Sequence, residues 1–191
     1  MKRLTLLHKS LCFAMAGVVG VALAITTGYA QATRGKEMAQ ITKVDGAVTI
    51  NGNSVGKGAS ILSGSAVATA ARSSAVVSLG KLGRVEVMPD TTDLKLSYGD
   101  SNISFAMLNA GRVRVSSSSG VSASATTNDG GITADSAQKN EFTIDTSCGN
   151  TFVAVKKGAV TLRAGNTVKQ IAAGSQDSAG QPRPGCQPPR R

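Results

Sequence analysis

Aliphatic and polar residues alternate with a period of two along most of the chain after residue 40. The clearest case lies between Thr151 and Ala164, where the large aliphatic residues fall on every second position: Val153, Val155, Val160 and Leu162. A period of two places such residues on one face of a β-strand. Gly158 separates the two arms and can adopt the positive φ that a hairpin turn requires. The pattern therefore predicts a β-hairpin over 151–164.

The second arm of this segment has three relatives upstream. Each combines a glycine with a short strand whose third and fifth residues are aliphatic: Gly46-Ala-Val-Thr-Ile, Gly83-Arg-Val-Glu-Val and Gly111-Arg-Val-Arg-Val. The steps between the four glycines are unequal, which argues against a solenoid of fixed repeats. The glycine-led strand therefore recurs, but the chain is not a regular repeat array.

Short apolar runs separated by turn residues predict an all-β fold of many short strands joined by glycine turns, a sandwich or a roll, over residues 41–174. Asn51-Gly52 is a type I′ turn signal, and Pro89-Asp-Thr-Thr-Asp93 stops a strand. Residues 132–139 are ambiguous between an irregular strand and a helical turn. Residues 33–40 are predicted to be a flexible lead-in, and 175–191 a proline-rich basic tail that is extended or disordered.

The N-terminus has the features of a secretory signal peptide with its helical apolar segment. A short basic region precedes an apolar run from Leu11 to Ile25, and Ala30-Gln31-Ala32 fits the small-residue cleavage pattern. We therefore predict a signal peptide over 1–32 and a periplasmic or secreted protein. The alternative is an uncleaved leader that anchors the domain to the inner membrane, although the run is shorter than the roughly 20 residues of a spanning helix.

Removal of the leader leaves a basic protein. Lys plus Arg falls from 21 to 18, because Lys2, Arg3 and Lys9 leave with the leader, and all 11 acidic residues remain, so the charge is 18 − 11 = +7. A basic surface favours anionic partners, or it serves solubility alone. The mature part has no tryptophan and one tyrosine, Tyr98. Since base stacking needs aromatic side chains, a nucleic-acid partner is not expected.

Two cysteines follow the leader, Cys148 and Cys186. An even pair in an oxidising compartment predicts a disulfide bond, which would stabilise the fold by roughly 3–4 kcal/mol in the chain-entropy model. Two free thiols are the alternative.

The residues that carry common chemistries are few. The one histidine, His8, lies in the leader, so histidine-based triads and histidine-ligated zinc are not expected. Asp90 and Asp93 fit turn capping better than a carboxylate pair for glycoside hydrolysis. Asp129 with its glycines fits a loop better than a calcium site. We expect no enzyme, no metal and no cofactor.

Several cations are candidates for contact with a partner because they flank the predicted strands: Arg112, Arg114, Lys156, Lys157 and Arg163. Arginines on one strand face can bind an anionic group, although a solvated strand face is the commoner arrangement.

The order of these motifs resembles the periplasmic FecR domain, named after the ferric-citrate regulator. The matching segments are Gly46-Ala-Val-Thr-Ile, Gly64 to Leu79, Gly83-Arg-Val-Glu-Val-Met-Pro, Leu108-Asn-Ala-Gly-Arg-Val-Arg-Val, Phe142-Thr-Ile, Val153-Ala-Val-Lys-Lys-Gly-Ala-Val and Ile171-Ala-Ala-Gly. The family's iron-signalling regulators have an anti-sigma region before the membrane helix and a receptor-contact module after the FecR domain. Neither pattern is found in this sequence, so the resemblance implies an isolated FecR-like domain.

The resemblance and the residue content together predict the function. We expect an exported, non-enzymatic domain that acts through protein–protein contacts with an envelope protein, in sensing or assembly. The alternative is a basic domain that binds an anionic envelope polymer such as peptidoglycan or lipopolysaccharide. Contact with the membrane is expected only through an uncleaved leader.

Overall fold

A computed structural model describes residues 38–185 of the 191-residue chain. The described residues are almost entirely β-structure, with one short 3-10 turn at Gly80–Leu82. The strands in chain order are β1 (Ala39–Asp45), β2 (Val48–Ile50), β3 (Asn53–Ser54), β4 (Ser60–Ile61), β5 (Ser65–Thr69), β6 (Ser74–Ser78), β7 (Gly83–Val87), β8 (Leu94–Tyr98), β9 (Asn102–Met107), β10 (Gly111–Ser117), β11 (Ser122–Thr127), β12 (Gly131–Ala134), β13 (Asn140–Ser147), β14 (Asn150–Lys157), β15 (Ala159–Ala164), β16 (Thr167–Ala172) and β17 (Gln176–Gly180).

The strands form two sheets that make a sandwich. Sheet 1 has the order β17-β14-β13-β10-β7-β6-β1-β4, and sheet 2 has the order β16-β15-β12-β11-β9-β8-β5-β2-β3. Both orders run from the C-terminal strands at one side to the N-terminal strands at the other, so the chain builds the two layers together. The predicted all-β sandwich of short strands is confirmed.

The core lies between the two sheets and follows the alternation of the sequence. In β10, for example, Val113 and Val115 are fully buried, whereas Arg112 and Arg114 lie on the outer face. Each fully buried aliphatic side chain contributes roughly 1.5–3 kcal/mol through removal from water. The period of two in the sequence therefore separates the core face of each strand from its solvent face.

The predicted hairpin over 151–164 is wrong. β14 pairs with β13 and β17 in sheet 1, whereas β15 pairs with β12 and β16 in sheet 2. Gly158 therefore joins the two sheets across the edge of the sandwich, at φ 84°. Alternation could place the aliphatic residues of both arms in the core, but it could not show that the arms belong to different layers.

The other glycine-led strands divide in the same way. Gly46 leads from β1 to β2 and Gly111 from β9 to β10, and both connections cross between the sheets. Gly83 instead closes the β6–β7 hairpin within sheet 1. At three of its four occurrences, the repeated motif thus follows a connection from one sheet to the other.

Two shorter turn predictions are confirmed. Asn51 and Gly52 have φ values of 50° and 81° and join the antiparallel strands β2 and β3. These two positive φ values are those of a type I′ turn. The loop predicted around Asp129 joins β11 to β12, also as an antiparallel pair. The ambiguous segment 132–139 begins as strand, because β12 extends to Ala134.

The folded domain extends beyond both of its predicted limits. The lead-in prediction for 33–40 fails at its end, because β1 begins at Ala39 and that side chain is fully buried. The tail prediction for 175–191 fails at its start, because β17 pairs with β14 and buries Ala179. Small residues such as alanine give a weak pattern signal, so the first two residues of β1 and all of β17 fell outside the predicted domain.

The predicted signal peptide over 1–32 lies outside the described residues, as does Cys186. Among residues 38–185 there is no helix long and apolar enough to cross a membrane.

Candidate functional site

The structure separates the five cations that the sequence nominated for partner contact. Arg112 and Arg114 lie on β10, and Lys156 and Lys157 end β14, so these four belong to sheet 1. Arg163 lies on β15 in sheet 2, where its register partners are Gly131 and Val168. A single partner surface formed by all five residues is therefore not present.

Three of these cations form ion pairs across neighbouring strands. Arg112 approaches Asp145 on β13 at 2.5 Å and Arg114 approaches Glu86 on β7 at 3.0 Å, while Lys156 approaches Glu141 on β13 at 3.1 Å. Opposite charges on adjacent strands stabilise the pairing of those strands. These side chains are already engaged with carboxylates of their own sheet, which weakens the case that they bind an anionic partner.

Glu141 shows the electrostatic effect of this arrangement. The hydrogen bond from Lys156 lowers the pKa of the Glu141 carboxyl below its ordinary value, with further lowering from the charges of Lys156, Lys157 and Arg114 and partial opposition from desolvation. Asp177 on β17 behaves similarly, because the hydrogen bond from Lys169 on β16 lowers the pKa of its carboxyl. That second contact joins the last strands of the two sheets.

A groove at one end of the sandwich is the candidate functional site. We call it the end groove; its cavity has a volume of about 360 Å³ and is lined by Met107, Leu108, Asn109, Ala110, Asn128, Asp129, Thr146, Ser147, Cys148, Gly149, Asn150 and Arg183. Leu108 stands at this groove with 51% of its surface exposed. A cavity of about 280 Å³ adjoins it and shares Ala110, Thr146 and Ser147.

Both sheets hold the turn that carries Leu108. Asn128, from the β11–β12 turn of sheet 2, donates a hydrogen bond from Nδ2 to the carbonyl oxygen of Leu108 at 2.5 Å. Thr146, on β13 of sheet 1, donates from Oγ1 to the carbonyl oxygen of Asn109 at 2.7 Å. The 108–110 turn is therefore fixed from two directions, and the exposed leucine is held by a rigid backbone.

A second set of bonds fixes the opposite wall of the end groove. The hydroxyl of Thr151, which is fully buried, donates to Oδ2 of Asp129 at 2.7 Å and lies 2.9 Å from the hydroxyl of Thr127. This contact ties the β11–β12 turn of sheet 2 to β14 of sheet 1. Asp129 therefore has a structural partner, in agreement with its interpretation as a loop residue.

Two buried polar atoms in the end groove have no hydrogen-bond partner among the described residues: Ser147 Oγ and Asn150 Oδ1. Asn150 is 3% exposed, so its carbonyl oxygen is closed off from solvent in this conformation. An unpaired buried acceptor costs about 1–3 kcal/mol, and such groups in native proteins are normally satisfied by water or by a ligand. These two atoms therefore have unused hydrogen-bonding capacity.

Arg183, which follows the last strand, approaches the same place. The backbone N–H of Arg183 donates to the carbonyl oxygen of Cys148 at 2.8 Å. Cys148 lines the end groove, and Cys186 follows Arg183 by three positions in sequence. Because Cys186 lies outside the described residues, the Cys148–Cys186 disulfide stays a prediction.

Comparison with known proteins gives no family. No family model matches the chain, and no curated protein matches it. The chain is similar to two crystal structures of proteins from Parabacteroides distasonis ATCC 8503 that are provisionally described as anti-sigma factors. One is 11% identical with a TM-score of 0.48 over 60% of this chain and 54% of that chain. The other is 12% identical with a TM-score of 0.38 over 70% of this chain and 55% of that chain.

These similarities do not extend to function. The chain spans about half the length of the solved structures it matches, and at these scores the similarity carries no argument about activity or partners. The FecR resemblance therefore stays a prediction from the order of the sequence motifs.

The end groove could not be predicted from the sequence. Its walls come from turns that are far apart in the chain, at 107–110, 128–129, 146–150 and 183. Asp129 and Cys148 were noted singly, but no pattern showed that they meet. The signal that links them is the sheet order, which only the structure provides.

Within residues 38–185 no group of three or more His, Cys, Asp or Glu side chains could hold a metal ion.

Proposed function

We propose that this protein is an exported, non-enzymatic domain that binds a segment of another envelope protein in the end groove. The observation that carries the proposal is the exposed Leu108 on a turn that both sheets fix. A preformed apolar contact beside polar groups is typical of a protein-binding site, because a rigid site loses little entropy on binding.

The polar groups of the end groove indicate the form of the partner. Ser147 Oγ and Asn150 Oδ1 lack partners, and Asn109, Asn128 and Asp129 add further amide and carboxylate groups to the lining. An extended peptide offers a backbone N–H at each residue except proline. We therefore expect the partner to supply an extended segment with an apolar side chain placed over Leu108.

Two exposed leucines make a matched test of this site. Leu108→Asp places a charge in the end groove, whereas Leu62→Asp places the same charge on the β4–β5 connection, where Leu62 is 66% exposed. The tagged protein is expressed with its leader in its own host, and co-purifying envelope proteins are quantified. We expect Leu108→Asp to reduce recovery of the specific partner by about tenfold or more, as for loss of a central contact. Leu62→Asp should leave recovery unchanged.

Equal recovery with the wild-type protein and Leu108→Asp would refute the end groove as the binding site. Recovery of bulk polymer alone would instead favour the binding of an anionic polymer. Export is tested in the same preparation, because N-terminal sequencing of the purified protein should begin at Thr33 if the leader is cleaved after Ala32. An N-terminus at Met1 in the membrane fraction would identify the anchored form.

A further inference from the structure

A second concave surface lies at the opposite end of β10. It has a volume of about 410 Å³ and contains three exposed cations, Arg84, Lys139 and Lys157. We call it the basic pocket. The remaining lining residues are mainly serines and glycines, with one acid: Ser78, Gly80, Gly83, Ser116, Ser117, Ser118, Asn140 and Glu141.

The strand register places Arg84 at this pocket. Arg84 on β7 lies opposite Ser116 on β10 and opposite Ser78 on β6. Gly83 allows β7 and β10 to approach closely here, since a Cβ at position 83 would lie 2.0 Å from the carbonyl oxygen of Ser116. The register therefore places a serine on each side of Arg84 in the sheet.

Asn140 brings the two lysines to the same pocket. Its Nδ2 donates to the carbonyl oxygens of Asp135 and Gln138 at 2.7 and 3.0 Å, which fixes the loop that ends at Lys139. Its Oδ1 accepts a hydrogen bond from the backbone N–H of Ala159 at 3.2 Å, which fixes the connection after Lys157. Asn140 is 2% exposed, so one buried amide positions both lysine-bearing loops.

Among residues 38–185, acids offset the charge of the basic pocket only in part, through Glu141, which the charge of Lys157 reaches. Within residues 38–185, Arg84, Lys139 and Lys157 form no ion pair, unlike Arg112, Arg114 and Lys156 on the same sheet. The one acid in the lining, Glu141, accepts a hydrogen bond from Lys156, which is not part of the lining. The lining therefore has a net charge of 3 − 1 = +2.

We infer that the basic pocket binds a phosphate group. Arginine offers a planar pair of N–H donors, lysines add point charges, and serine hydroxyls donate to the remaining oxygens, which together match a phosphate. A phosphate with up to two negative charges matches the excess of two positive charges, whereas a single carboxylate neutralises only one. A volume of about 410 Å³ admits a small phosphorylated molecule or one lipid headgroup.

This site is separate from the one in the proposed function. The end groove lies at the Gly111 end of β10 and the basic pocket at its Ser117 end. Six residue steps of a β-strand separate them by roughly 20 Å. Loss of phosphate binding would leave the proposed protein contact intact, and the reverse also holds.

Two double variants with equal charge test the inference. Lys139→Gln/Lys157→Gln removes two cations from the basic pocket, and Lys57→Gln/Lys95→Gln removes two exposed lysines elsewhere. Binding of inorganic phosphate and of acetate to the full exported chain is measured by calorimetry at fixed low ionic strength. We expect saturable phosphate binding that weakens about tenfold or more in the pocket variant. It should change by no more than about twofold in the control variant.

Vesicles distinguish the two sources of phosphate. Retention on phosphatidylglycerol vesicles but not on phosphatidylcholine vesicles, lost in the pocket variant alone, assigns a lipid headgroup. Binding of free phosphate without vesicle retention assigns a soluble ligand. The inference is overturned if neither phosphate nor phosphatidylglycerol binds, if acetate binds as tightly as phosphate, or if both double variants lose binding equally. Leu108→Asp should leave phosphate binding unchanged.

Discussion

At the scale of single residues, Tyr98 connects the two sheets. Its phenol oxygen donates to the carbonyl oxygen of Ile61 at 2.6 Å and accepts a hydrogen bond from the backbone N–H of Ala39 at 3.1 Å. Tyr98 belongs to β8 of sheet 2, whereas Ala39 and Ile61 belong to sheet 1. One hydroxyl thus joins the layers and fixes the first strand of the domain.

Tyr98→Phe should lower the free energy of unfolding by about 1–3 kcal/mol, because the change leaves buried backbone groups without a partner. Urea unfolding monitored by circular dichroism measures the change. Ser122→Ala, at an exposed position on sheet 2, is the control and should stay within about 0.5 kcal/mol. Unfolding midpoints that are the same for Tyr98→Phe and the wild-type protein would show that the hydroxyl does not join the sheets.

Tyr98 also shows which contacts of a residue cannot be predicted from its sequence neighbours. The sequence drew attention to it as the sole tyrosine after the leader. Leu94 and Leu96 alternate and predict a short strand over 94–97, followed by a turn from Tyr98 to Asn102. The strand instead continues through Tyr98, and that side chain is buried. Its hydrogen-bond partners are 37 and 59 residues away in sequence, and no local pattern carries that information.

At the scale of elements, the connection at Gly158 explains why the predicted hairpin is a crossover. A Cβ at position 158 would lie 2.1 Å from Asn140 Oδ1 and 2.9 Å from the carbonyl oxygen of Lys139. Gly52, in the β2–β3 hairpin, has a similar positive φ of 81° but open space around it. Glycine serves backbone conformation at both positions, and close packing only at the crossover.

This contrast gives a paired prediction. Gly158→Ala should lower the free energy of unfolding by at least about 1 kcal/mol more than Gly52→Ala, because both incur the cost of positive φ and only the first displaces Asn140. Chemical denaturation of the two variants beside the wild-type protein provides the comparison. Equal losses would mean that the β14–β15 connection tolerates a side chain and is not closely packed.

The ion pair between Glu141 on β13 and Lys156 on β14 predicts how the stability of the fold depends on pH. The pKa of Glu141 is lowered in the folded protein, so this carboxylate adds stability above its ordinary pKa of 4.5 and loses that contribution as pH falls through the lowered value. At neutral pH the free energy of unfolding of the wild-type protein should be higher than that of Glu141→Gln. The difference should be at most about 1 kcal/mol, because Lys156 is largely exposed. The free energies of unfolding of the two proteins should become equal in strong acid.

A series of urea unfolding curves across the acid range tests this prediction. Lys156→Gln removes the other partner of the ion pair. In that background, the substitution Glu141→Gln should change the free energy of unfolding less, and with a weaker dependence on pH, than it does in the wild-type protein. A difference between wild type and Glu141→Gln that stays constant with pH, or grows in acid, would contradict the proposed origin of the lowered pKa.

At the scale of the whole molecule, alternation and turn residues were sufficient to predict a β-sandwich but not its layering. Each strand's core face follows from its own residues, as in Val153 and Val155. Assignment of a strand to a sheet depends on pairing with distant strands, such as β14 with β17 or the parallel pair β9 and β11. The end groove and the basic pocket both lie at strand ends, where several connections meet, so neither could be found before the sheet order was known.

The layering also changes the electrostatic picture of the molecule. Composition indicates a uniformly basic protein, yet Arg112, Arg114 and Lys156 are paired with acids on their own sheet. Three cations without an ion pair meet in the basic pocket, whereas the end groove offers an apolar side chain and unpaired polar atoms. We therefore expect a protein segment and a phosphate group to be bound independently.

Site-specific photo-crosslinking of the full chain, expressed with its leader, tests whether the end groove binds an envelope protein. A photoreactive amino acid replaces Leu108 in the end groove or, as a control, Ser122 on the outer face of sheet 2, and adducts formed in intact cells are identified by mass spectrometry. We expect one discrete envelope protein to be attached at position 108 and to be absent at position 122. No protein adduct at position 108, or the same adducts at both positions, would contradict it.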